Sequence, residues 1–223
     1  MNLSRIRLRP DAAQTDAFWT RFTCDYSIHK LVWSWFADSP DRRRDFLYRQ
    51  EGSEGSLCFF TLSERPPVDR DGLWLVESKP FRPKLSEGQR LAFTTRVNPT
   101  LQRADGPAKG QRCDVVMDAK FRARSSGDPI EATPALVQDA VTKWLAARAE
   151  RCGFSFGTDD VAVDGYHQLR FSRRRGQPDI RITVVDVSGL LTVIHPVRFL
   201  ATLCGGLGHA KGFGCGLMLI RRA

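Results

Sequence analysis

Tyr26, His29 and Lys30 stand together near the start of this chain, and they carry the groups that phosphodiester chemistry needs. An imidazole with its ordinary pKa of ~6.5 moves protons at neutral pH. A phenol orients or shares a proton, and an ammonium stabilises charge that builds up during reaction. On a helix Tyr26 and His29 share a face, while Lys30 sits about 100° round from His29. A plainer reading competes. The two rings also continue an aromatic row with Trp19, Phe22, Trp33 and Phe36. By pattern alone the packing reading leads, since aromatic residues at helical steps usually belong to a core.

The second chemical feature lies near the other end, in Gly205-Gly206-Leu207-Gly208-His209-Ala210-Lys211-Gly212-Phe213-Gly214-Cys215-Gly216. Glycine reaches φ > 0 and lets a backbone approach a ligand closely. Exposed N–H groups around Gly206 and Gly208, beside His209 and Lys211, suit a phosphate. A solvated loop histidine accounts for His209 equally well. The third feature is Arg173-Arg174-Arg175, with Arg170 just before it. Such a run is either a solvated hairpin tip or a row of guanidinium groups for a duplex backbone. A-form RNA favours the latter kind of contact, because its deep, narrow major groove hides base edges. His167 and His195 read as packing or capping residues. No D-x-D cluster accompanies these features, so two-metal chemistry has poor support and no metal ligands are assigned. Lys211 is followed by Gly212, which rules out a Walker-type loop.

The elements that must position these residues are readable from periodicity. Leu3–Arg9 alternates as a strand with one basic face. Residues 15–37 read mainly as helix, with Asp25 able to cap a restart at Tyr26. Strands follow at Asp45–Gln50 and Leu57–Leu62, and then at Leu73–Ser78 after Pro66-Pro67. Pro80–Gly88 has the composition of a linker. A strand begins again at Leu91–Val97, residues 102–110 look loose, and Thr133-Pro134 opens an amphipathic helix that ends near Gly153. Tyr166–Phe171 and Ile180–Val187 flank the arginine run, and Leu190–Ile194 extends that sheet. A short helix at Pro196–Leu203 and a strand at Leu217–Ile220 close the chain. Each half therefore reads β-α-β-β-α-β, although the second helix of the first half is poorly marked. The fold class is α+β, with two tandem ferredoxin-like (RRM-like) domains spanning residues 1–85 and 86–223.

Composition narrows the partners. The 223 residues carry a net charge of +9 and are 42% hydrophobic, which supports a packed core and a polyanionic partner. Nine Lys and Arg against three Asp and Glu fall in residues 161–223, so two thirds of the excess charge is C-terminal. The six cysteines are scattered without a C-x-x-C pair, which argues against zinc and a disulfide framework. No apolar run reaches the ~20 residues of a membrane helix, and no signal peptide opens the chain. A cytoplasmic protein without membrane partners or cofactors is expected.

Taken together, the motifs resemble the CasE (Cse) family of CRISPR-associated endoribonucleases, the RNA-processing subunits of type I-E Cascade. The likeness runs nearly end to end. It includes Tyr26-x-x-His29-Lys30, Pro80-Phe81-Arg82-Pro83, Gly88-Gln89-Arg90-Leu91-x-Phe93, Arg96-Val97-Asn98-Pro99, the basic hairpin and Gly206–Gly216. The resemblance implies two ferredoxin-like domains and metal-independent cleavage of a CRISPR repeat hairpin by 2′-OH attack. The implied products are a 2′,3′-cyclic phosphate and a 5′-OH. It makes His29 catalytic, with Tyr26 assisting and Lys30 stabilising the phosphorane; many relatives carry arginine at this last position. Arg170, Arg173, Arg174, Arg175, Gly206, Gly208, His209 and Lys211 become RNA-binding residues. The partners implied are the precursor RNA, the mature guide RNA that stays bound, and other Cascade subunits. A non-catalytic hairpin-binding subunit on the same fold is the alternative, and a small-molecule enzyme fits the basic surplus less well. Residues 102–133 receive no role.

Overall fold

The computed structural model describes residues 1–11, 25–37, 43–52, 57–103, 110–125, 133–171 and 180–223, with Tyr26, at the start of a helix, described by its backbone. The first half builds one four-stranded sheet. Its strands are β1 (Asn2–Leu8), β2 (Phe46–Glu51), β3 (Cys58–Ser63) and β4 (Trp74–Pro80), in the order β2-β3-β1-β4. All neighbours are antiparallel. Alternation decides the faces of β1: Ser4, Ile6 and Leu8 are buried, whereas Arg5 and Arg7 are exposed beside Glu77. Helix α1 (Asp25–Ser34) crosses from β1 to β2 and buries Val32 among Ile6, Phe46 and Phe59.

This strand order is ferredoxin-like, but residues 64–73 connect β3 to β4 without a helix. Pro66-Pro67 explains the difference. Proline removes N–H donors and pushes its predecessor out of the α region.

The second half repeats the order. Its sheet runs β11-β5-β10, using β5 (Arg90–Val97), β10 (Ile180–Val193) and β11 (Met218–Arg222). β8 (Phe154–Ser155) and β9 (Val161–Phe171) both pair with the far edge of β10. Between β5 and β8 lie a small hairpin, β6 (Thr100–Gln102) with β7 (Arg112–Asp114), and helices α2 (Val115–Ser125) and α3 (Pro134–Ala149). Helix α4 (Pro196–Gly205) precedes β11. The Thr133 hydroxyl caps α3 by accepting from the Leu136 N–H at 3.2 Å, with Pro134 in the first turn as expected.

Helix α2 was not expected. Asp114 starts it: its Oδ1 accepts from the N–H groups of Val116 and Met117, both at 2.8 Å. The two expected strands Ile180–Val187 and Leu190–Ile194 form one continuous strand. The expected hairpin tip at residues 172–179, with Arg173, Arg174 and Arg175, lies outside the described residues, as do the loop at 53–56, most of 102–110 and the helix expected over 15–24.

Each sheet has its own core. Phe93, Val141, Leu145, Phe154, Phe199 and Leu203 fill the second one, between the sheet and α3 and α4. Leu47, Leu62 and Leu217 form a third cluster that joins the two halves. No described helix is long and apolar enough to cross a membrane.

Candidate functional site

His29 lies where the two halves meet. Helix α1 carries it towards the short 3₁₀ turn Lys211–Phe213 of the glycine loop. Its Nδ1 is 2.6 Å from the Gly212 carbonyl oxygen, a contact across 183 residues of sequence. A carbonyl only accepts, so Nδ1 carries the hydrogen and donates it. That tautomer puts the lone pair of the neutral ring on Nε2. The Phe213 ring stacks on the imidazole with centroids 5.0 Å apart, and Trp33 meets it edge-on at 6.1 Å. The buried Tyr48 of β2 donates its hydroxyl to the same Gly212 carbonyl at 3.2 Å. The ring is thus held by groups from both halves, in a defined tautomer and plane.

Lys30 is exposed on the same helix. Tyr26 falls in the first turn of α1, one helical turn before His29; its side chain lies outside the described residues.

The glycine loop uses its freedom mainly to pack. Gly206 has φ 76° and ψ 150°, and its N–H caps α4 by donating to the Thr202 carbonyl at 2.8 Å. A Cβ at Gly206 would sit 2.8 Å from Leu47 of the first half, so a side chain there would push the halves apart. Gly208 rests against the Trp144 ring. Several loop N–H groups are therefore committed inside the protein, and the loop's most evident anion-facing groups are side chains.

Those side chains form a cation-rich neighbourhood. Arg148 lies over the Trp144 ring at 4.3 Å and donates to the Thr100 carbonyl at 3.3 Å. Exposed Arg112 stands on the adjoining β6–β7 hairpin. Burial, then Arg112, Lys211 and Arg148, lower the pKa of His209. Burial and then Arg44 lower that of Lys211, whose Nζ donates to the Gly205 carbonyl at 2.5 Å. Among the described residues, Arg44, Arg112, Arg148 and Lys211 have no carboxylate partner. Such uncompensated charge attracts a polyanion.

Arg170 is exposed near the end of β9, opposite Arg181, with its Nε donating to Gln168 at 3.1 Å. It stands close to the base of the undescribed 172–179 segment. His195 is the residue just before α4, and its side chain makes no capping hydrogen bond. Tyr48, Gly212, Phe213, Arg112 and Arg148 are site residues that sequence reasoning missed. The first three become neighbours of His29 only through tertiary packing, whereas the two arginines carried a charge signal that lacked a location. Among the described residues, no three His, Cys, Asp or Glu side chains gather to hold a metal ion.

Fold and site together define a protein of two ferredoxin-like sheets, with an imidazole pinned at their junction beside uncompensated cations. A model of the family described as CRISPR associated protein matches residues 1–222, and the chain belongs to that family. Among its relatives, the CRISPR-associated endoribonuclease Cse3 of Thermus thermophilus is 29% identical over 210 residues, covering 87% of this chain and 89% of the relative. The CRISPR system Cascade subunit CasE of Escherichia coli is 26% identical over 197 residues, covering 86% and 89%. A solved structure of the CRISPR endoribonuclease Cse3 bound to a 19-nucleotide RNA superposes with a TM-score of 0.74 at 26% identity, covering 99% of this chain and 100% of that one.

Proposed function

We propose that this protein is an endoribonuclease that cuts the repeat hairpin of CRISPR precursor RNA and stays bound to the mature guide RNA within a Cascade assembly. The observation that carries the reading is His29, fixed by the Gly212 carbonyl with its reactive nitrogen defined. The names of the relatives support the substrate, and the structure of Cse3 with RNA supports a fold that holds it. The proposed domains are residues 1–85 and 86–223; that residues 81–89 form neither strand nor helix supports a division there.

The chemistry is transesterification. The 2′-OH attacks the adjacent phosphorus, the P–O5′ bond breaks, and the products are a 2′,3′-cyclic phosphate and a 5′-OH. The nucleophile belongs to the substrate, so no metal-bound water is required. His29 Nε2 moves a proton, from the 2′-OH when the ring is neutral or to the leaving 5′ oxygen when it is charged. Tyr26 orients the phosphate or shares the proton, and Lys30 stabilises the phosphorane. Lysine lacks arginine's bidentate fork, so Lys30 acts as a point charge. Arg170, Arg173, Arg174 and Arg175 hold the stem, and His209 and Lys211 meet the backbone near the cut, with Gly206 and Gly208 shaping the loop that carries them. The work is cytoplasmic, alongside other Cascade subunits.

Incubation of labelled repeat hairpins with excess EDTA tests the reaction. Cleavage at an undiminished rate, with cyclic-phosphate and 5′-OH ends, is expected. Loss of cleavage in chelator, restored by magnesium or manganese, refutes the mechanism.

The stem contacts have a separate test. Charge reversal at Arg173, Arg174 and Arg175 is expected to weaken hairpin binding and to reduce the slope of log K against log salt by about one for each phosphate that is no longer neutralised. Titration at several salt concentrations measures both. An unchanged affinity and slope would make that run a solvated tip.

A further inference from the structure

A cavity of about 280 Å³ opens at the junction beside the His29 site, lined by Ile28, Tyr48, Gln50, Arg96, His167 and Phe213 among others. Phe213 belongs to both places: it stacks on His29 and forms part of the cavity wall. The volume falls just under the roughly 300–1,000 Å³ of sites for drug-sized ligands, which suits one small ring system.

The polar groups of the cavity are set for hydrogen bonding. β9 carries a bulge, since Gly165 and Tyr166 together face Val185 of β10. Gly165 takes φ 62° to make it. Bulges re-aim the side chains beside them, and the next residue is His167. The His167 Nδ1 donates to the Gly165 carbonyl at 2.5 Å, so the lone pair of the neutral ring falls on Nε2. Among the described residues, His167 Nε2 and the half-buried Gln50 amide have no hydrogen-bond partner. Arg96 spends its Nε and Nη2 on Asp186 and keeps Nη1 for a further bond. The cavity therefore offers one acceptor, one amide with both functions and one donor.

Charge selects the occupant. Arg96 and Arg49 are matched by Asp186 and Glu51, so the formal charges here cancel. A phosphate gains little in such a place, whereas a neutral ring with donors and acceptors along one edge gains fully. Sequence-specific RNA readers take unstacked bases against aromatic side chains and bond their edges in this way.

The geometry points to a nucleobase pocket: the cavity takes one unstacked base of the RNA next to the scissile phosphate, and Gln50 and His167 read its edge. This rests on the nuclease reading above and gives it a sequence requirement outside the stem.

The test uses the full chain and a panel of hairpin RNAs with each of the four bases at the nucleotides flanking the cut. Single-turnover rate and binding are measured for wild type, Gln50→Ala and His167→Ala. Wild type is expected to prefer one base at one of these nucleotides by about tenfold to a hundredfold, as good edge contacts do. Each variant should flatten that preference while holding the stem as tightly as wild type. His167→Gln, which restores an acceptor, should recover part of it. Equal cutting of all RNAs by wild type, or an unchanged preference in both variants, overturns the pocket and leaves the nuclease reading standing. Failure of wild type to cut any hairpin overturns both.

Discussion

His29→Ala is expected to lower the single-turnover rate of hairpin cleavage by about 10²–10⁴-fold, the usual contribution of a positioned acid or base. RNA affinity should stay within about twofold, because the cations proposed to hold the stem lie mainly in the second half. The structure strengthens the expectation in one respect. The Gly212 carbonyl, the Phe213 stack and Tyr48 together hold the ring in one plane and one tautomer. A preorganised group loses little on reaching the transition state, so its removal should appear in rate and not in binding. A 2′-deoxy nucleotide on the 5′ side of the cut should abolish cleavage by wild type as well, since the nucleophile is gone. The measurement is a rate and a dissociation constant for both RNAs with both proteins. Near-normal cutting by His29→Ala would remove this imidazole from the chemistry, whereas tight binding without cutting by wild type would favour a pure binding subunit. Cutting of the deoxy RNA would exclude transesterification.

Much of this site is legible before folding, but unevenly. By pattern alone His29 reads first as a packing residue, and the family resemblance is what marks it as catalytic; the glycine loop stands out because six glycines crowd round two basic residues. Their pairing is not legible from local pattern. A hydrogen bond across 183 residues leaves no local period, and Tyr48 looks like any inward strand residue. The strands read well where burial alternates, as in β1 and β5. Reading fails at β10, where Ser188-Gly189 resembles a turn. The strand continues because a Cβ at Gly189 would overlap the Asp160 carbonyl oxygen, so glycine there permits a close approach and not a bend. Helix α2 escapes because its fully buried apolar residues are only Val115 and Val116, while Met117 and Phe121 lie on its exposed side and blur the apolar period. Asp114 is its usable signal, a capping side chain just before the first turn.

Asp186→Ala is expected to cost about 3 kcal/mol of stability, near the low end of the ~3–5 kcal/mol seen when one partner of a buried ion pair is removed. Asp186 faces Arg96 across the β10–β5 pairing and binds it with two bonds, at 3.0 and 2.7 Å. Arg49 of the first sheet reaches the same carboxylate at 3.5 Å and Glu51 at 2.5 Å. One carboxylate thus ties a guanidinium of each half into the junction. Arg49 is 8% exposed, and its Nη1 is buried without a hydrogen-bond partner, so it is poorly placed to recover water when Asp186 is removed. The low end of the range applies because the Asp186 side chain is itself 27% exposed. Asp186→Asn should lose less, as it keeps one acceptor for Arg96. The exposed Arg5–Glu77 pair is the control: Glu77→Ala should leave the unfolding midpoint almost in place. The readout is the urea midpoint at constant slope, taken together with cleavage rate. Loosening the junction also loosens the Gly212 carbonyl that holds His29, so rate should fall with stability. A midpoint shift no larger than that of Glu77→Ala would show that solvent screens the network and that the halves are held by their other contacts, the apolar cluster of Leu47, Leu62 and Leu217 and the Gly212 hydrogen bonds among them.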